Sequence, residues 1–183
     1  MSDSKVIVYL ALSLDGYIAG PDHDLNWLSD DYSTGGLTQL GEGVLGFEEL
    51  LDSVGCIVMG RNTYDVIASF KQWPYGNVPV LVATRTPFQT QIESIRAVAG
   101  TIEDIIRTAK RRANGKRIYI DGANVVQQAA DAGLIDEWVL SMVPIMLGSG
   151  TRLFENIHER QKLAFTSHET MANGIVQLHA KPA

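Results

Sequence analysis

The chain is poor in cysteine. Cys56 stands alone among 183 residues, which excludes an intrachain disulfide and a thiolate-built metal cluster. It lies in Cys56-Ile57-Val58-Met59, a buried-strand pattern, so a small core residue is expected. Histidine is sparse too: His23, His158, His168 and His179 are scattered without ligand spacing, and no metal site is expected. Positive charge is in deficit, with Lys+Arg 15 against Asp+Glu 21, a net charge of −6 and a pI near 5.1. A nucleic-acid surface normally needs a basic face, so that class of partner is set aside. The one basic cluster, Lys110-Arg111-Arg112 with Lys116 and Arg117, falls where a helix should end, and cations there suit the helix dipole. No window approaches the roughly eighteen apolar residues of a membrane helix. The acidic, polar N-terminus does not read as a signal peptide, so a cytoplasmic protein is expected.

What is present is an ordinary globular composition, 45% hydrophobic and 20% charged, in a length that suits one domain over residues 1–183. The organising stretch runs from Ile118 to Phe154. A short apolar run, Arg117 to Ile120, meets Asp121-Gly122-Ala123-Asn124; a helical pattern, Val125 to Ala132, stops at Gly133; a second β-rich run spans Trp138 to Val143. Strand, glycine turn, helix and strand make a βαβ crossover. Its turn sits where backbone N–H groups and a positive helix end can meet an anion. A bare tight turn with nothing bound is the plainer alternative.

Earlier in the chain, Lys5 to Ser13 is near-continuously apolar, as a central strand covered on both faces should be. A long polar loop, Tyr17 to Gly43, follows; it holds Pro21, Trp27 and Gly35-Gly36, and such length suits a lid over an active site, with a disordered insert as the plainer alternative. Helical patterns occupy Val44 to Ser53, Tyr64 to Phe70 and Ile102 to Ala113, the last capped by Thr101. Strands are expected at Cys56 to Met59, Val78 to Ala83 and Ile95 to Val98. Lys162 to Thr170 and Ile175 to Ala180 flank Asn173-Gly174, a hairpin signal. The fold class is therefore α/β, with a mostly parallel central sheet flanked by helices and ending in an antiparallel hairpin.

In such a sheet ligands bind beyond the carboxyl ends of the strands. Gly60 permits close backbone approach, Arg61 offers a cationic fork, and Thr63 opens a helix. Arg85, past another strand, can meet a further phosphate, as an adenosine 2′-phosphate requires. Two phosphate-friendly helix starts and an extra arginine fit a dinucleotide such as NADPH better than a mononucleotide. Neither an ordinary Rossmann site nor a P-loop is written here.

Ile57-Val58-Met59-Gly60-Arg61-Asn62-Thr63-Tyr64 resembles the I-M-G-R-x-T-[WY] motif of dihydrofolate reductases. Ser13-Leu14-Asp15-Gly16-Tyr17-Ile18-Ala19 is similar to the S-x-D-G-x-I-A motif of the reductase domain of riboflavin biosynthesis. Leu134-Ile135-Asp136-Glu137, Pro144 and Leu147-Gly148-Ser149-Gly150 resemble that domain's later signature. The resemblance covers nearly the whole chain. It implies a dihydrofolate-reductase-like three-layer fold and an NADPH-dependent reductase of a pterin- or ribitylaminopyrimidine-type substrate, with a homodimer plausible. It further implies that Gly60, Arg61, Asn62 and Thr63 hold cofactor phosphates and that Thr84 and Arg85 flank the 2′-phosphate. Gly122, Ala123, Asn124 and Val125 would cradle the pyrophosphate and nicotinamide side, and Ala11 and Ile18 the nicotinamide.

Departures from the pattern bear on the substrate. Where dihydrofolate reductases carry a helix acid this chain has Val44; Glu48, one helical turn on, is the nearest substitute or else an ordinary exposed helix glutamate, the reading slightly favoured. Asp15 is the leading polar residue for substrate or loop organisation, or else merely shapes its turn. Ser141 matches the hydroxyl that supports the helix acid, and Trp27, Phe47 and Tyr64 are candidates to stack on a heteroaromatic ring. The H-x-E and P-C-x-x-C motifs of a zinc deaminase do not occur. A catalytically silent nucleotide-binding protein that keeps the cleft is the alternative.

Overall fold

The order of the elements follows from where the chain can hide apolar side chains. A computed structural model describes residues 4–28 and 43–183; the middle of the expected loop, with Gly35-Gly36, lies outside them. Strand β1 (Val6–Ser13) runs through the centre of an eight-stranded sheet. Parallel to it on one side lie β6 (Arg117–Asp121), β3 (Val54–Gly60), β4 (Val80–Ala83) and β5 (Ile95–Val98). On the other side β7 (Glu137–Val143) is parallel, and β10 (Val176–Pro182) and β9 (Leu163–Thr170) close the sheet as the expected antiparallel hairpin. The crossover from β6 to β7 leaves room for β1 between them, pairing Val8 with both Ile120 and Trp138.

Side chains of β1 alternate between two cores. Val6, Val8 and Leu12 join Ile118 and Ile120 beneath helices α3 (Ile102–Ala113) and α4 (Ala123–Asp131). Ile7 joins Met59 and Tyr119 beneath α1 (Phe47–Ser53) and α2 (Arg61–Ala68). Helices on both faces explain why the strand carries no polar alternation. Cys56 is fully buried in the first core, and burial pushes its thiol up to about 12, so it is inert packing.

Several expected boundaries move. Helix α1 begins at Phe47 rather than Val44, because Gly46 takes the N-cap and Leu45 N–H donates to Gln177 instead of a helical partner. Helix α2 begins at Arg61, directly after Gly60, three residues before the pattern suggested. The long loop contains β2 (Tyr17–Ala19), which pairs antiparallel with β8 (Thr151–Arg152). Gly150, at φ +130, lies where a Cβ would sit 2.0 Å from the Ala19 carbonyl, so this ribbon closes only around glycine.

Candidate functional site

A cavity of about 680 Å³ opens at the carboxyl ends of the parallel strands. Ala11 of β1, Gly60 closing β3, Ala83 closing β4 and Asp121 closing β6 all line it. Two helices start at its wall. Gly60 precedes α2 and Gly122 precedes α4, and neither helix has a side-chain cap, so early N–H groups keep no partner from a capping side chain. Helix α3, which does not line this cavity, is closed by Thr101, whose hydroxyl accepts from Asp104 N–H. The two glycine turns meet: Gly122 has φ +90, and a Cβ on it would lie 2.1 Å from Thr63 Oγ1. This is a cradle of backbone donors and positive helix ends, suited to phosphate oxygens.

Part of the wall is aromatic. Tyr9, Phe47, Tyr75 and Tyr119 form a closed ring of contacts, with neighbouring centroids 6.1 to 6.5 Å apart, and all four line the cavity. Into this box projects Asp121, which is only 8% exposed. Strand alternation puts Tyr119 and Asp121 on the same face of β6, away from Ile118 and Ile120. Tyr75 Oη donates to Asp121 Oδ2 at 2.7 Å, and Tyr119 and the Gly122 N–H also bond the carboxyl. Burial outweighs these bonds and raises the Asp121 pKa above the ordinary carboxylate value. A carboxyl that retains its proton more readily, on the wall of a cleft, suits general-acid chemistry.

The structure gathers most of the expected cofactor residues on one surface. Ala11, Ile18, Gly60, Arg61, Asn62, Thr63, Gly122, Ala123, Asn124 and Val125 line the cavity, as does Phe47 from the aromatic group. The Arg61 fork is partly engaged, since Nε donates to both carboxylate oxygens of Asp65 at 2.8 and 2.9 Å. Thr84 lies outside the lining, its hydroxyl tied to Thr86. Arg85 is exposed on a second, more open cleft with Gln128 and the start of α3. Asn124 Oδ1 accepts from Gln128 Nε2 at 2.7 Å, so neighbouring turns of α4 serve the two clefts.

The expected catalytic residues fall elsewhere. Asp15 is not on the cavity wall; it accepts from Ser13 Oγ at 2.6 Å, Gly148 N–H at 2.7 Å and Leu147 N–H at 3.1 Å. The Ser13 hydroxyl and these amides hold its carboxyl down to about 2, which makes it a clasp between the end of β1 and the loop after β7. Glu48 is exposed on α1 and also off the wall, and because Val44 precedes that helix, the one-turn relation between them does not hold. Trp27 is buried with Val143 and Ile175, and Tyr64 packs against Phe88 at 4.7 Å and Trp73 at 6.2 Å; neither lines the cavity.

Ser141 lies in the sheet, off the wall, and its hydroxyl receives Gln177 Nε2 at 3.3 Å. Gln177, fully buried, also accepts from Leu45 N–H and donates to Leu45 C=O, so it anchors the approach to α1. Gln177→Leu leaves both Leu45 groups short of this partner, and chemical denaturation should register a loss of about 1–3 kcal/mol.

Two residues of this arrangement were missed in the sequence, Asp121 as a buried carboxyl on the wall and Gln177 as an anchor. A carboxylate in phase with tyrosine on a central strand was the available signal for Asp121. The chain also holds a literal G-x-G-x-x-G spacing at 41–46, which corrects the expectation that no such pattern is written. Gly43 to Gly46 lead into α1 and do not line the cavity, so they are no phosphate cradle. No group of three or more potential metal ligands occurs among the described residues.

The sequence pattern of the RibD C-terminal domain family matches residues 66–177. The uncharacterized protein YwjB of Bacillus subtilis (strain 168) is 29% identical over 179 residues, covering 97% of each chain. A structure from Shewanella sp. PV-4, named for riboflavin biosynthesis, superposes with a TM-score of 0.82 at 32% identity, over 98% of this chain and 99% of that one. A Thermotoga maritima chain named as a diaminohydroxyphosphoribosylaminopyrimidine deaminase and 5-amino-6-(5-phosphoribosylamino)uracil reductase superposes at 0.70 with 15% identity, over 98% of this chain and 57% of its own. That last likeness bears on fold alone. The architecture is the dihydrofolate-reductase-like fold of these reductase domains.

Proposed function

The chain belongs to the RibD C-terminal domain family, and from that premise we propose that it is an NADPH-dependent reductase of a flat heteroaromatic substrate of the pterin or ribitylaminopyrimidine type. The observation that carries this reading is the meeting, on one cavity, of two glycine-led helix starts without side-chain caps and a buried carboxyl set in an aromatic box. Bound NADPH would supply the hydride. The glycine turns would hold its pyrophosphate by backbone N–H groups, and Ala11 and Ile18 would leave space for the nicotinamide. Asp121 would give the proton that, with the hydride, reduces one C=N or C=C bond, leaving oxidised cofactor and a carboxylate that regains its proton from water.

A silent nucleotide-binding protein was the alternative because Val44 stands where the helix acid is expected and Glu48 is off the cavity wall. Asp121 offers a carboxyl from β6 instead, and this supports the reductase. The Arg85 cleft would receive the adenosine 2′-phosphate. Arg85→Ala should weaken NADPH about tenfold while leaving NADH within about twofold, in a fluorescence titration of both cofactors. Equal weakening of the two would remove the 2′-phosphate from that cleft.

A further inference from the structure

We infer that this site takes a planar, neutral, phosphate-free heteroaromatic substrate, an assignment that rests on the reductase reading and narrows it. One wall of the cavity is the ring of Tyr9, Phe47, Tyr75 and Tyr119, which offers stacking surface to a flat ring. Its phenols are committed within the protein: Tyr9 Oη donates to Leu45 C=O at 3.1 Å, and Tyr75 and Tyr119 bond Asp121.

Charge points the same way. From Val6 to Gly60 the sequence contains no Lys or Arg and nine Asp or Glu. That span supplies β1, β2, α1 and β3, so these elements bring no arginine or lysine to the site. Two arginines do line the cavity. Arg61 opens α2 beside Gly60, with its guanidinium 4.9 Å from the Phe88 centroid, and Arg152 lies on β8, 4.4 Å from the Tyr17 centroid. Arg61 belongs to the turn assigned to cofactor phosphates, and Arg152 lies on the β2–β8 ribbon with its guanidinium over the Tyr17 ring. His23 is the remaining basic side chain on the lining, and Asp22 and Asp24 flank it. Among the described residues, none of the acids of that span lines the cavity; the carboxylates that do are Asp121 and Glu155, and a phosphate seated against the aromatic box would meet Asp121 with no cation paired to it. The Thermotoga relative is named for a phosphoribosylamino substrate; this chain departs from that chemistry.

The test is calorimetric titration of protein saturated with NADP+, so that no turnover occurs, using 7,8-dihydroneopterin and its 3′-phosphate as probes. The neutral probe should bind about tenfold tighter, and the gap should narrow as salt rises from about 0.05 M to about 0.5 M, since screening weakens charge repulsion but not ring fit. Phe47→Arg should erase the preference. Equal or tighter binding of the phosphate, or binding of neither probe, overturns the assignment. Failure of NADP+ to bind, seen before any probe is added, overturns the reductase reading and this inference with it.

Discussion

Asp121→Asn should lower the rate of substrate reduction by about 10²–10⁴-fold, the usual contribution of a positioned general acid, while the protein stays folded. The asparagine Oδ1 can still accept from Tyr75 Oη and the Gly122 N–H, so the aromatic box keeps its shape. The sign of the stability change separates this from simple damage. Burial raises the Asp121 pKa, so the folded protein binds this proton more tightly than the unfolded chain does. Its effect on stability is therefore most favourable at acid pH, and it diminishes as pH rises from the ordinary value of 3.8 through the raised folded value. Asn carries no such term. Thermal melts at neutral pH should show the variant as stable as wild type or more so. In wild type, kcat/KM should fall as pH climbs past the raised pKa, and the variant should lack that limb. An unaltered pH profile in Asp121→Asn would place the proton elsewhere.

Gly122→Ala should cost NADPH affinity on the order of ten- to a hundredfold and destabilise the fold by a few kcal/mol. Two causes act together. The residue sits at φ +90, where a Cβ is strained, and that Cβ would lie 2.1 Å from Thr63 Oγ1 and 3.2 Å from its Cβ. Relief must come from one glycine turn moving away from the other, which opens the cradle. Thr63→Ala in the same background removes the hydroxyl half of the clash. Urea denaturation should then show the pair coupled, the double variant losing less than the two single losses together. Strict additivity would mean the turns do not press on each other.

The parts of the fold that were legible in the sequence are those fixed by local chemistry. Helix α3 starts where Thr101 caps it and ends where Asn114 adopts the left-handed conformation, so its bounds match the pattern. Asn173-Gly174 announces the final hairpin, and the unbroken apolar run of β1 announces helices on both faces. The ribbon β2–β8 was not legible because its strands are three and two residues long and meet across the chain. Helix α1 starts late because Gln177, far along the sequence, takes the Leu45 N–H.

The site divides the same way. Glycine turns before helices name their own role, and they converge. Asp121 reads locally as part of a turn; its burial beside Tyr75, 46 residues away, and Tyr119 is a product of the fold. Tyr64 has the composition of a stacking residue, yet Phe88 and Trp73 claim its ring for the core.

The central claim is that a nicotinamide dinucleotide lies across the glycine turns after β3 and β6. Backbone amide shifts of the 15N-labelled protein titrated with NADPH test this most directly, because the proposed contacts are the amides themselves. The account predicts saturable shifts largest at Thr63, Ala123 and Asn124, with smaller ones at Ala11 and Ile18. Saturable shifts that leave the Ala123 and Asn124 amides in place, or no shifts at millimolar NADPH, would contradict it.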